Sequence, residues 1–469
     1  MITRPNHSGQ KLILMVVAIM VWFCSAIAWG SAPTDAQKAE NAFFRGSHLL
    51  SRDNMNEALP ALEEAVKLDP ENQKFRRVLA VAYNNYGIRL SKDGKTVDGL
   101  RFLEKALGVE PEDKGIQTNF LSACVQSVAA PSEKISDTDK MYFLKKALII
   151  DPNDAGLKKA LAALLSNAIV AKGVGASDQN ETRQLEQAFS LDPTNVKIKK
   201  NLSVAYYNLA IEKGKAGETQ DEVDLLRRSD KLTPKDQTVE QALAKALSNL
   251  AVVKGKAGDL ESQISLLKES LELSPNDPTT KKNLAGAYNN YAVADGNLSF
   301  SARVTNLENA LKLDPKNQLT HSNLSNIMTK EGVKEYKSGQ ITKAISLLEK
   351  SLKHDPQNKA AQSNLAAVYH NEGLKHGEEG KHEQEIQFLN KALSASPDNA
   401  QIKTDLALAY NDYAVSLDKK GDVKQQINLL TKANKLAPDN KAIQENLTRV
   451  KQKETSKTTK NEPAAEGKK

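Results

Sequence analysis

Pro397-Asp398-Asn399 opens a stretch that runs through Leu406-Ala407 and Tyr410 to Gly421, then through Leu430, Ala433 and Leu436 to Pro438-Asp439-Asn440. Asn399 is suited to cap a helix, because its side chain can accept a hydrogen bond from a free amide of the first turn. Gly421 separates one helical pattern from a second. The second pattern must stop at Ala437, since a following proline disfavours the α region for the residue before it. The reading is helix, turn, helix, stop. A single hairpin of this size cannot bury its apolar side unaided, so the chain must supply neighbours.

It does so by repetition. Prolines close successive units at Pro70, Pro111, Pro152, Pro193, Pro234, Pro275, Pro315, Pro356, Pro397 and Pro438, 41 residues apart except for one step of 40. Two residues past each proline stands a cap: Asn72, Asp113, Asp154, Asn195, Asp236, Asp277, Asn317, Asn358, Asn399 and Asn440. Nine past it stands Leu or Phe, from Leu79 and Phe120 to Leu406 and Leu447, usually followed by a small residue. Tyr83, Tyr206, Tyr288, Tyr369 and Tyr410 follow on a neighbouring part of the same face. Eight residues before each proline is leucine without exception: Leu62, Leu103, Leu144, Leu185, Leu226, Leu267, Leu307, Leu348, Leu389 and Leu430. Three residues later comes Ala or Ser. The Leu is expected to be an interhelix knob and the small residue its facing gap. Asn283-Leu284-Ala285 and Asn290-Tyr291-Ala292 lie seven apart, as do Asn201-Leu202-Ser203 and Asn208-Leu209-Ala210, so the first helix carries a duplicated heptad. The spacing predicts first helices of about 18–20 residues and second helices of about 12–14.

The succession Asn364-Leu365-Ala366, Tyr369, Gly380, Leu389, Ala392 and Pro397 resembles the tetratricopeptide repeat. That family's unit is about 34 residues, and HEAT repeats run nearer the period seen here. The glycine between the helices and the small residue before the closing proline favour the tetratricopeptide pattern. The repetition makes the fold all-α, an α-solenoid of antiparallel helix hairpins. The resemblance implies a right-handed superhelix with first helices lining a concave groove, and protein or peptide partners.

The expected organisation is a leader at residues 1–30, a repeat solenoid with a C-terminal capping helix at 31–451, and a disordered polar tail at 452–469. Arg4 and Lys11 precede an apolar run from Leu12 to Gly30. This is a cleaved signal peptide, with Ala26-Ile27-Ala28 as the cleavage site, or an uncleaved anchor spanning the membrane. Either places the body outside the cytoplasm, secreted or periplasmic, or anchored by residues 12–30. Pro131 is expected to truncate or kink one first helix, and Pro60 falls within the first turns of a second helix. The net charge is +7, but the leader and the last 19 residues hold most of it. A body so close to neutral is a poor surface for tracking phosphates, which sets nucleic acid aside.

No catalytic constellation stands out, and the chain is read as not an enzyme, with no cofactor and no metal. Cys24 lies in the leader and Cys124 is alone in the body, where a buried, inert position is expected. His370, His376 and His382 share one unit, but no pair has the spacing of a helical metal site, and exposed positions are expected. Asparagines recur fifteen past the proline, at Asn85, Asn167, Asn208, Asn249, Asn290 and Asn371. A second set lies eight past it, at Asn119, Asn201, Asn283, Asn323, Asn364 and Asn446. Asn disfavours helix interiors, so its recurrence needs a reason. Either these amides bridge helices within the fold, or, as the resemblance implies, the first set holds an extended peptide backbone. The functional expectation is a non-catalytic scaffold for a protein or peptide. The alternative is a self-associating structural or spacer component of the cell envelope.

Overall fold

A computed structural model describes residues 33–131, 133–173, 178–294, 296 and 298–460. The leader expected at residues 1–30 lies outside them, as do residues 461–469. Among the described residues there are 21 α-helices and no strands. In chain order they are α1 (Asp35–Ser51), α2 (Met55–Leu68), α3 (Gln73–Lys92), α4 (Thr96–Val109), α5 (Lys114–Val128), α6 (Asp137–Ile150), α7 (Ala155–Val170), α8 (Gln179–Leu191), α9 (Val196–Lys215) and α10 (Thr219–Leu232). There follow α11 (Gln237–Lys256), α12 (Leu260–Leu273), α13 (Pro278–Ala294), α14 (Phe300–Leu313), α15 (Gln318–Lys337), α16 (Ile341–His354), α17 (Lys359–Glu378), α18 (His382–Ala395), α19 (Ala400–Ser416), α20 (Val423–Leu436) and α21 (Lys441–Lys460). Odd-numbered helices are the first of each hairpin and even-numbered helices the second. None is long and apolar enough to cross a membrane.

The expected boundaries follow from local chemistry. The asparagine or aspartate two past each proline accepts a hydrogen bond from the first turn, as in Asn72 from Phe75, Asp154 from Leu157 and Asn399 from Ile402. The second helices end where the residue before proline turns extended, for example Asp69 at φ −139, ψ 78 and Ala437 at φ −132, ψ 72. Second helices have 13 or 14 residues and full first helices 20, so the extra length does sit in the first helix. Pro131 follows the shortest of them, α5, with 15 residues. Pro60 is accommodated inside α2. Between the helices the turn residue enters the left-handed region, as Gly94 (φ 79) and Gly380 (φ 72) do. Asp53 (φ 58) takes the same place in the opening hairpin, a conformation that short polar Asp tolerates.

The chain divides into two compact units, residues 1–209 with 231–233 and residues 210–230 with 234–469. In the first, Phe43 stacks on Phe75 at 4.6 Å and Phe120 meets Phe143 edge-on at 6.4 Å. In the second, Leu389, Leu406, Tyr410, Leu430 and Ile443 form part of one core across three consecutive repeats. Hairpin partners such as α3 with α4 and α17 with α18 pack together, and so do successive hairpins, as α4 with α5 and α18 with α19 do. All ten leucines eight before the prolines are no more than 1% exposed, as are the Ala or Ser residues three further on. Glycines late in some first helices, sixteen residues before the leucine, also receive this knob. A Cβ at Gly46 would lie 2.7 Å from Leu62, one at Gly373 2.9 Å from Leu389, and one at Gly87 2.8 Å from the Gly99 carbonyl.

One boundary differs from expectation. The capping helix was expected to end near Lys451, yet α21 continues to Lys460 with 20 residues. It is a full-length first helix, and Lys453 holds its extension by pairing with Asp418 at 3.0 Å.

Candidate functional site

The first-helix face carries the candidate site. Counted from the closing proline, positions 8, 11, 15 and 18 share one side of a helix. The structure separates the two asparagine sets. Position 8 is occupied by the fold: Asn119 donates to Asn84 Oδ1 (2.9 Å), Asn201 to Ser166 Oγ (3.1 Å), Asn323 to Asn289 Oδ1 (2.9 Å) and Asn446 to Asn411 Oδ1 (2.9 Å). Each bond clasps a first helix to position 14 of the first helix before it. His370 and Asp405 make the same crossing at 2.7 Å. Asn364 departs and donates to its own helix at the Ala360 carbonyl (2.7 Å).

Position 15 faces outward. Asn85, Asn167, Asn249, Asn290 and Asn371 are exposed and Asn208 is half-exposed. Asn85 and Asn290 accept weakly from Asn84 and Asn289 (3.3 Å each), and Asn371 donates to the Tyr336 hydroxyl (2.8 Å). Three residues on, at position 18, stand aliphatic side chains open to solvent: Val170 (47% exposed), Val252 (38%), Val293 (47%), Leu374 (38%) and Val415 (44%). Sequence reasoning missed this second row. Its signal was there in the sequence, an aliphatic three residues after the position of each outward amide.

The tyrosines at position 13 serve the fold. Tyr206 donates to Glu186 (2.7 Å), Tyr369 to Glu349 (2.6 Å) and Tyr83 to Glu63. A lysine of the next second helix caps the ring, Lys105 over Tyr83 at 5.2 Å and Lys391 over Tyr369 at 5.5 Å. Burial first, and then the neighbouring carboxylate, push the Tyr83 and Tyr369 hydroxyls well above the ordinary phenol range. Cys124 is fully buried, and burial raises its thiol to about 12, which suits an inert packing residue.

The histidines correct an expectation of exposure. His370 is held at 17% side-chain exposure by Asp405, His376 stacks on Phe388 (5.3 Å) and His382 on Tyr413 (5.7 Å). His321 and His354, far apart in sequence, bring their Nδ1 atoms to 3.3 Å. Burial, followed by His321, lowers the tendency of His354 to take a proton. Among the described residues no group of three or more His, Cys, Asp or Glu side chains is placed to hold a metal.

Residues 329–400, from late α15 to the start of α19, match the sequence profile of the tetratricopeptide repeat. That stretch carries the tetratricopeptide repeat. Solved structures to which the chain is similar include the TPR domain of P58(IPK), 16% identical over 89% of this chain and 99% of that one, with a TM-score of 0.21. A TPR repeats protein from Bacteroides fragilis is 17% identical over 45% of this chain and 98% of its own, with a TM-score of 0.27. Human IFIT1, solved with m7Gppp-AAAA, is 15% identical over 90% and 91%, with a TM-score of 0.19. No curated protein sequence matches the chain. The tetratricopeptide fold is a scaffold typical of protein–protein interaction.

Proposed function

We propose that the chain is a non-catalytic scaffold that holds a protein partner through an extended segment laid across its first helices, and that residues 12–30 export or anchor it. The observation that carries this reading is the pairing of an outward amide at position 15 with a half-exposed aliphatic at position 18 in successive helices, as in Asn249 with Val252 and Asn290 with Val293. Amides can engage a peptide backbone, while the aliphatic groups give its side chains an apolar seat. Both groups stand outside the packing that the neighbouring positions complete.

Co-purification of the tagged, exported chain from an envelope fraction tests the reading. A protein partner should be captured, and it should be lost when Asn249, Asn290 and Asn371 are all changed to alanine, with the melting temperature unchanged. Retention of that partner by the triple variant would overturn the assignment of the site. Light scattering that finds a multimer with no second protein would favour the spacer role instead.

A further inference from the structure

We propose that His321 and His354 form a binding site for a late first-row transition-metal ion, Zn2+ or Cu2+, at the open end of the α15/α16 hairpin, away from the connecting turn. The site is independent of the peptide-binding face.

Three observations support it. The first is geometric. The two Nδ1 atoms are 3.3 Å apart. At a metal–nitrogen distance of about 2.05 Å they subtend about 107° at an ion, close to the tetrahedral angle that zinc adopts. The ring centres stand 5.5 Å apart with planes inclined by 34°, and seating an ion draws them together by roughly 0.4 Å.

The second is the tautomer. His321 Nε2 lies 3.0 Å from the Pro315 carbonyl oxygen, which can only accept. Nε2 therefore carries the proton and Nδ1 presents its lone pair to His354. A ligating imidazole is commonly oriented by donating its other N–H to a backbone carbonyl in this way.

The third comes from the repeat itself. Two residues before the closing proline the other units have Leu68, Val109, Ile150, Leu191, Leu232, Leu273, Leu313, Ala395 and Leu436, all aliphatic, and only this hairpin has a histidine, His354. Six past the proline, Gln117, Gln362 and Gln444 donate to their proline carbonyls at 2.6–2.7 Å, and only here does a histidine take that place. Two departures from the repeat thus meet in one hairpin. Both rings are half-buried and reachable from solvent, and water completes the coordination. Imidazole suits zinc and copper, which sets the class of ion.

The repeat also supplies the controls. His321→Gln keeps the bond to the proline carbonyl as the other units make it, and His354→Leu restores the residue most units carry there. Neither should disturb folding. The full-length, untagged chain is titrated with Zn2+ by calorimetry and with Cu2+ by electron paramagnetic resonance. The expected result is one site whose affinity falls about tenfold or more in either variant, and a Cu2+ signal from two imidazole nitrogens that drops to one in each. Zn2+ should raise the melting temperature of the parent chain and not of the variants. Failure of the parent chain to bind, or titrations of both variants that match it, would overturn the site and leave His321 and His354 as a hydrogen-bonded pair only. Neither result bears on peptide capture, which is read out separately.

Discussion

Glu222 shows how one side chain can be at odds with its place in a regular fold. It lies against Gly214, where a Cβ would come within 2.5 Å of its carboxyl carbon, and burial raises its proton affinity while Lys245 partly opposes the shift. A carboxyl whose value rises on folding contributes stability at low pH and loses it as the pH climbs through the folded value. At pH 7 the charge is therefore a cost. Gln263 holds the corresponding place in the next hairpin, against Gly255, so Glu222→Gln is sterically precedented. It should raise the melting temperature at pH 7, where the buried charge is unfavourable. The gain should close towards pH 4, measured by thermal melts across that range. Gly87 makes the opposite case, because a Cβ there meets the Gly99 backbone oxygen at 2.8 Å, which cannot swing aside. Gly87→Ala should cost about 1–3 kcal/mol in denaturant titrations despite alanine's better helix propensity. The buried leucines were legible from sequence because they recur in every unit. Gly87 was not, since most other units fill position 17 with alanine or a larger aliphatic.

Helix by helix, the sequence revealed the length and ends of the elements, because asparagine caps and prolines act locally. It did not separate the two asparagine rows. Seven residues are almost two full turns, so Asn201 and Asn208 read as sharing one face. Only the neighbouring helix distinguishes them, by covering position 8 and leaving position 15 open. The partner at position 14 varies among Asn84, Ser166, His370 and Asn411, so no motif announces it. The clasp between α3 and α5 can be measured directly. In a double-mutant cycle with Asn84→Ala and Asn119→Ala, the coupling should be about 0.5–1.5 kcal/mol, the usual net worth of such a bond. Coupling near zero would show that the clasp is a geometric coincidence. The exposed aliphatics at position 18 escaped notice for the reverse reason, since a repeated Val or Leu reads as core until the packing is seen.

At the scale of the whole molecule, contacts within each compact unit run between helices close in sequence, so the stability of each unit should be a sum over its modules and their borders. Removing residues 316–356, one complete unit between equivalent prolines, leaves matching surfaces on either side. The shortened chain should keep its helical circular dichroism per residue within about 10%. Removing only residues 316–336 should not, because second helix α14 would then meet second helix α16. Two irregularities limited the reading at this scale. The carboxyl-terminal helix is a full 20 residues where its polar composition suggested an early end. The expected leader at residues 1–30, a cleaved signal peptide or an uncleaved anchor by its charge and apolar run, lies outside the described residues.

The even spacing of the closing prolines has a mechanical consequence. A chain held at its two ends and stretched has no long-range strand pairing to resist as a single block. Each hairpin that gives way frees one period of 41 residues, or roughly 140 Å of slack polypeptide. Optical-tweezer traces should therefore show a staircase of near-identical treads, and a single large rip would be incompatible with this architecture.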